Sequence, residues 1–226
     1  MQEIIDKINE AKSIVLSTHR QADGDGLGAQ LALYHALKKT NKDVRILNVD
    51  PTPERYEFLE TSKLIQNFES PHTPLEVTDL AIIFDTNDER LLQPLYREFE
   101  RQCREILFVD HHPLLQSGPK PTNSSYIDTS AASTGEITYQ IIRGLNIDMD
   151  KDIARALYTS IVFDTQIFRY IRGSSASHQI TVDLLQYEKN PAEIHQKLFG
   201  NHTIQKMTFL SKALGSIEYF AGGQLA

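Results

Sequence analysis

Cysteine is almost absent from this chain. Cys103 is the single one in 226 residues, so no intrachain disulfide can staple the fold. Its place between Gln102 and Arg104, beside a strand pattern, suits a packing residue better than a nucleophile. Long apolar stretches are absent as well. The hydrophobic runs are strand-sized, which excludes a membrane-spanning helix, and Met1-Gln2-Glu3 opens neither the basic region nor the apolar stretch of a secretory signal. These absences predict a cytoplasmic protein. Basic residues are in deficit: 23 Lys and Arg face 30 Asp and Glu, a formal net charge of −7. Such a balance argues against a tight, nonspecific grip on long nucleic acid, which depends on neutralising many phosphates, and leaves short nucleotides open. Repeats and low-complexity segments are missing too. With 40% hydrophobic and 23% charged residues, the composition is that of a soluble globular protein with ample chain for a buried core.

What is present is an alternation of helical and strand patterns. Ile4, Ile8 and Ala11 share a helical face, predicting a helix over 2–12. Ile14-Val15-Leu16-Ser17-Thr18 reads as a strand, and Leu27, Leu31, Tyr34 and Leu37 as an amphipathic helix ending at the basic pair Lys38-Lys39, which suits the negative pole of the helix dipole. Strand patterns recur at 44–49, 81–84 and 106–109, with a proline-bearing connection of short helical turns over 50–76 and helical spacing around 90–101. Residues 113–125 hold Pro113, Gly118, Pro119, Pro121 and Asn123 and predict a surface loop. Ser133 followed by Glu136 is a capping-box signature. Helices are expected over 134–143 and 151–162, and helical spacing over 176–187 and 191–214. The fold class is therefore α/β, a predominantly parallel β-sheet flanked by helices.

The apolar runs end in a telling way. Ile106-Leu107-Phe108-Val109 closes in Asp110-His111-His112, Ala81-Ile82-Ile83-Phe84 in Asp85, and the first strand in His19, followed by Asp23 and Asp25. In open α/β sheets ligands bind beyond the carboxyl ends of the strands, so these pieces should meet at one rim. Imidazole and carboxylate together outline a metal site. Gly24, Gly26 and Gly28 would let the turn after the first strand fold tightly around cations. Plainer accounts exist for each piece taken alone. Asp25 could cap the next helix with Asp23 in an ordinary turn, Asp85 could be a turn residue, and Asp110-His111-His112 could form a structural hydrogen-bond network. A dinucleotide-binding loop fits poorly, because the glycine spacing is wrong and two acids would repel a pyrophosphate. Asp164, after Ser160-Ile161-Val162-Phe163, could close a helix and lie exposed. His35, His72, His178, His195 and His202 lack comparable neighbours and are read mostly as surface or locally bonded.

Taken together, His19-x3-Asp23-x-Asp25, then Asp85, Asp110-His111-His112 and Asp164, resembles the DHH phosphoesterase superfamily over roughly residues 1–200. Within it the chain looks most like the branch of nanoRNases and bifunctional oligoribonuclease/3′,5′-bisphosphate nucleotidases. Asp23-Gly24-Asp25-Gly26-Leu27-Gly28, Ser133-Thr134-Gly135-Glu136 and Ala156-Leu157-Tyr158 leading into Asp164-Thr165-Gln166-Ile167-Phe168 carry that likeness. Relatives commonly have Asn-Pro at Gln21-Ala22 and Gly at Gln166, departures that touch no proposed ligand.

The resemblance implies two Mn²⁺ ions, with Mg²⁺, Co²⁺ or Zn²⁺ also suited to such ligands. It assigns His19 and Asp23 to one ion, Asp25, His111 and Asp164 to the other, and Asp85 to both. Asp110 would orient a histidine, and His112 would bind or protonate a phosphate oxygen. The implied reaction is hydrolysis of short oligoribonucleotides, dinucleotides or 3′,5′-bisphosphate nucleotides by a water activated between two cations. A short nucleotide or oligoribonucleotide is the implied partner, with no membrane and no long nucleic acid, and a homodimer is compatible with this reading. The competing readings are a family II-like inorganic pyrophosphatase and a non-catalytic, metal-dependent nucleotide-binding module. Residues 1–200 would form the catalytic domain. Residues 201–226 are expected to hold a linker helix, then a first strand at 216–220, as the beginning of a truncated DHHA1-like substrate-binding domain.

Overall fold

The computed structural model describes residues 1–69, 72–200, 203–219 and 222. Helix α1 (Gln2–Glu10) leads into β1 (Ser13–Thr18), α2 (Gly24–Leu37) and β2 (Asp43–Asn48). A 3-10 turn at Glu54–Leu59, α3 (Thr61–Leu64) and β3 (Ile65–Asn67) follow. Next come β4 (Thr78–Phe84), a second 3-10 turn at Glu89–Leu92, α4 (Leu95–Gln102), β5 (Cys103–Asp110) and β6 (Tyr126–Ile127). The chain continues with α5 (Thr134–Gly144), α6 (Lys151–Asp164), α7 (Ala176–Leu184), α8 (Pro191–Phe199) and α9 (Ile204–Gly215).

All described strand pairs are parallel, in the order β3-β2-β1-β4-β5-β6. The order reverses between β1 and β4, which is the switch point where doubly wound sheets open a crevice beyond their strands. Alternate residues divide the core. Ile14, Leu16, Ile82, Phe84, Leu107 and Val109 face α1, α2, α5 and α6, whereas Val15, Leu47, Ala81, Ile83 and Phe108 face Leu92, Leu95, Tyr96 and Phe99.

Several elements differ from the sequence pattern for physical reasons. Helix α2 is not amphipathic: Gly24 through Leu33 are buried without a break, because the helix is enclosed between the sheet and α6. Its glycines lie in the helix, and serve approach rather than loop freedom. A Cβ on Gly28 would stand 2.5 Å from the Ala156 carbonyl oxygen and 2.7 Å from the Ser160 nitrogen. The helical spacing around 90–101 splits at Pro94, which has no N–H to donate, into the 3-10 turn and α4. The helical span 191–214 likewise divides at Gly200 into α8 and α9, and α9 has no buried residue. Ser216 is a turn and Ile217–Tyr219 form no strand, while Phe220, the end of the expected strand, lies outside the described residues. The edge strand β3 emerges from the stretch read as a connection, and β6 follows directly on the predicted loop 113–125. Among the described residues no helix is long and apolar enough to cross a membrane.

Candidate active site

His19 follows β1 directly, Asp85 follows β4, and Asp110 ends β5. Asp23 caps α2 by accepting from the Asp25 N–H at 3.0 Å, so the capping role belongs to Asp23. Asp25 stands in the first turn of α2. Its carboxylate is buried and faces the start of α5, accepting from Thr134 N–H at 2.8 Å and Gly135 N–H at 3.2 Å, and from the Ser160 hydroxyl. A carboxylate is well served by unpaired helix amides and the positive pole they create. The predicted capping box sets that pole. Ser133 accepts from Glu136 N–H at 3.3 Å, while the Glu136 carboxylate reaches back to Ala132 N–H at 3.1 Å and accepts from the Ser177 hydroxyl.

Asp85 adopts a left-handed backbone, φ 62°, uncommon for a residue with a side chain. Its N–H continues the sheet by donating to Val109 O at 3.0 Å, and its Oδ1 accepts from the Thr134 hydroxyl at 3.2 Å. Burial lifts its pKa well above the ordinary carboxylate range, reinforced by the charges of Asp25, Asp23, Asp110 and Asp164. Asp25 is pushed up to about 6 by burial, against the pull of its hydrogen bonds, and Asp164 to about 6 by burial and then by Asp25. Crowded carboxylates of this kind take up either protons or cations.

The two inner imidazoles decide between them. His19 Nδ1 lies 2.8 Å from Arg20 O and His111 Nδ1 lies 3.3 Å from Ala131 O. A carbonyl only accepts, so each Nδ1 donates, and a ring without a second proton presents Nε2 as a bare lone pair. His19 Nε2 is 3.5 Å from Asp85 Oδ2. His111 Nε2 is 3.5 Å from Asp25 Oδ2, 3.7 Å from Asp85 Oδ1 and 3.4 Å from Asp164 Oδ2. His111 Nε2 is buried without a hydrogen-bond partner, and burial holds this imidazole below its ordinary pKa, favouring the neutral form. Neutral lone pairs facing carboxylates fit divalent cations, and the tethered Nδ1 is the support that metal-ligating histidines receive.

Ligand atoms of His19, Asp23 and Asp85 lie within 4.8 Å of one another. The same holds for Asp25, His111 and Asp164, and for Asp85, His111 and His112. All the residues singled out in the sequence therefore meet at one rim. Asp110 is fully buried and holds the histidine turn. Its Oδ1 accepts from His111 N–H at 2.8 Å and from His112 Nδ1 at 2.9 Å, and its Oδ2 from Asn87 Nδ2 at 2.7 Å. That bond raises the His112 pKa over the opposing effect of burial, and the His112 side chain is half exposed. A cavity of about 330 Å³ opens over the cluster, with Asp23, Asp85, Asn87, His112 and Asp164 in its lining.

Asn87, Thr134, Ser160 and Arg172 are supports the sequence reading passed over. Arg172 Nη1 donates to Thr129 O at 2.7 Å and His111 O at 3.3 Å, strapping the histidine turn from outside. The remaining described histidines lie elsewhere. His72 bonds Phe68 O at 2.7 Å, His195 bonds the Tyr158 hydroxyl at 2.9 Å, and His35 and His178 pack on Tyr34 and Phe168; His202 lies outside the described residues. Cys103 packs against the core with its thiol pushed up to about 12 by burial, as an inert packing residue should be.

Residues 13–161 match the family described as DHH family, N-terminal domain. Over 214 residues the chain is 26% identical to the bifunctional oligoribonuclease and PAP phosphatase NrnA of Thermus thermophilus, covering 94% of this chain and 61% of that protein. A protein of the same name from Mycoplasma pneumoniae is 26% identical over 205 residues, covering 90% of this chain and 61% of the relative. The chain thus spans about three fifths of the length of these curated relatives. The crystal structure of an exopolyphosphatase-related protein from Bacteroides fragilis superposes with a TM-score of 0.86 at 20% identity, over 97% of this chain and 67% of that one. At that identity the likeness concerns the fold.

Proposed function

This chain belongs to the DHH family, and from that premise we propose that it is a metal-dependent phosphoesterase acting on short oligoribonucleotides, dinucleotides or 3′,5′-bisphosphate nucleotides. The observation that carries this reading is the pair of bare Nε2 lone pairs, on His19 and His111, both facing Asp85. His19 and Asp23 would hold one divalent ion and Asp25, His111 and Asp164 the other, with Asp85 as a shared ligand. Oxygen and imidazole donors suit Mn²⁺, with Mg²⁺, Co²⁺ and Zn²⁺ as competitors. When bound, such ions supply charge stabilisation at the phosphoryl group and acidify the attacking water.

The rest of the work falls to the chain itself. Asp110 fixes His112 through Nδ1, which leaves Nε2 of this half-exposed side chain to bind or protonate a phosphate oxygen. The α5 amides and the Ser160 hydroxyl occupy lone pairs of Asp25, so its free lobe is aimed and cannot rotate away. Arg172 and Asn87 hold the loop carrying both histidines. A catalytic domain over 1–200, with a linker beginning at 201, is supported by the exposure of α9.

Chelator-treated protein, back-titrated with Mn²⁺ and assayed on bis(p-nitrophenyl) phosphate, a short oligoribonucleotide, adenosine 3′,5′-bisphosphate and pyrophosphate, tests the reading. Two equivalents of metal should restore hydrolysis of the phosphoesters. Turnover that survives chelation, or restored cleavage of pyrophosphate alone, would overturn it.

A further inference from the structure

A second hollow, of about 480 Å³, is lined by Phe163, Asp164, Gln166, Ile167, Arg169 and Phe199. Asp164 lines both this hollow and the cleft over the metal-binding cluster. A molecule whose phosphate lies in the cleft therefore has a compartment of mixed apolar and polar lining one carboxylate away, of a size usual for small-molecule sites.

We infer that this hollow receives the nucleobase of the nucleotide whose phosphate lies in the cleft; the inference rests on the proposed phosphoesterase reading and specifies where its substrate is gripped. Phe163 and Phe199 present half-buried rings, and Ile167 is 45% exposed although large and apolar. Rings and flat aliphatic faces take up any base by stacking, because every base has a π-face. The Phe163 ring is braced from behind, edge-on against Tyr56 at 6.4 Å between centroids and with the Arg55 guanidinium 5.9 Å from its own. The polar members narrow the choice of occupant. A purely hydrophobic segment seated here would bury the Gln166 amide and Arg169 guanidinium without partners, whereas a base edge offers nitrogen and oxygen atoms to both.

The backbone is bent specifically to present these residues. Helix α6 ends in a Schellman turn, with Ile167 N–H donating to Val162 O at 2.9 Å and Gln166 N–H to Phe163 O at 3.2 Å. Gln166, Ile167 and Phe168 then follow one another at φ 47°, 59° and 63°. Left-handed conformation is costly for a side-chain-bearing residue and most of all for β-branched isoleucine. It is held by Phe168 N–H on the Thr165 hydroxyl at 3.0 Å and Tyr170 N–H on Thr165 O at 2.9 Å. Strain maintained next to a reactive centre, turning an isoleucine toward solvent, is an observation from which a ligand contact follows.

The test titrates AMP and ribose 5-phosphate calorimetrically into the Mn²⁺-loaded chain, with bis(p-nitrophenyl) phosphate hydrolysis measured on the same preparation. AMP should bind about 5–150-fold tighter than ribose 5-phosphate, the worth of one stacked base. Ile167→Ala and, separately, Arg169→Ala should each shrink that gap several-fold. Both side chains are exposed, so thermal melts should show an intact fold. Equal affinity for the two ligands, no measurable AMP binding, or a gap untouched by both substitutions would overturn the subsite. Diester turnover with no gap removes the subsite and leaves the phosphoesterase reading standing, while a gap without turnover does the reverse.

Discussion

His111 Nε2 stands 3.4 Å from Asp164 Oδ2, inside the protein and without a hydrogen bond. His112, the next residue, has its Nδ1 tied to Asp110 at 2.9 Å and a half-exposed side chain. Adjacent histidines are thus wired oppositely, one inward as a lone pair and one outward as a raised-pKa acid. His111→Ala should therefore lower metal affinity. His112→Ala should leave metal stoichiometry close to wild type and reduce turnover by about 10²–10⁴-fold, the usual worth of a general acid or base. Calorimetric metal titration beside steady-state kinetics separates the two, and equal metal loss in both variants would show the roles misassigned.

Asp85→Asn probes the shared carboxylate while keeping a residue that tolerates the left-handed backbone. Metal occupancy should fall at both positions and turnover should drop by more than about 100-fold. The metal-free variant should melt no lower than the metal-free parent, since a buried charge crowded by Asp25, Asp23, Asp110 and Asp164 has been removed. Undiminished turnover would sink the assignment.

Metal-free protein should respond to pH in a definite direction. Asp25 and Asp164 are raised from the ordinary 3.8 to about 6, and Asp85 is raised well above its ordinary range. The stability these groups contribute is complete below 3.8 and is lost as pH climbs through their folded values. His112, raised from 6.5, acts in the same sense; His111, His35 and His195, lowered from 6.5 by burial, oppose it. The melting temperature without metal should thus fall between about pH 5 and 7.5, and saturating Mn²⁺ should reverse the trend by replacing protons with cations. A metal-free melting temperature that rises over this range contradicts the account.

Gln166 occupies the left-handed position that closes α6, at φ 47°. Glycine takes that conformation without steric cost, so Gln166→Gly should stabilise the protein by about 1 kcal/mol, a rise of about 2–4 °C in melting temperature for a chain of this size. Thermal denaturation at fixed metal concentration checks it; an unchanged or lower value would mean that the glutamine side chain compensates for its backbone.

The parts readable from sequence were those written locally. Strands ending in His19, Asp85 and Asp110-His111-His112 announce themselves by period and termination, and the parallel-sheet rule sends their ends to one rim. The cap Ser133 and the glutamate three residues on were equally local. What escaped depends on partners distant in the chain. Thr134 finds Asp25 across 109 residues and Ser160 finds it across 135, so no local pattern foretells either contact. The glycines of α2 misled for the same reason: Gly24 and Gly28 meet Phe163, Ala156 and Ser160 of α6, Gly26 meets Thr18 and Asp85 at the strand ends, and only the packed elements show why a side chain cannot fit. The two- and three-residue strands β6 and β3 are too short to display a period and form because a neighbouring strand is already in place. Gln166 was noticed as a departure, but its meaning required the φ angle.

The strand order has a consequence for how the site comes into being. Its proposed ligands enter from the ends of β1, β4 and β5 and from α2 and α6, so the constellation is complete only when the whole stretch from His19 to Asp164 has folded. A cation bound there would act as a keystone between the strands on either side of the switch point. At a free concentration of 100 times its dissociation constant it adds about 2.7 kcal/mol against unfolding. Loss of registry in any one wing would then release the ion, tying competence for chemistry to completion of folding.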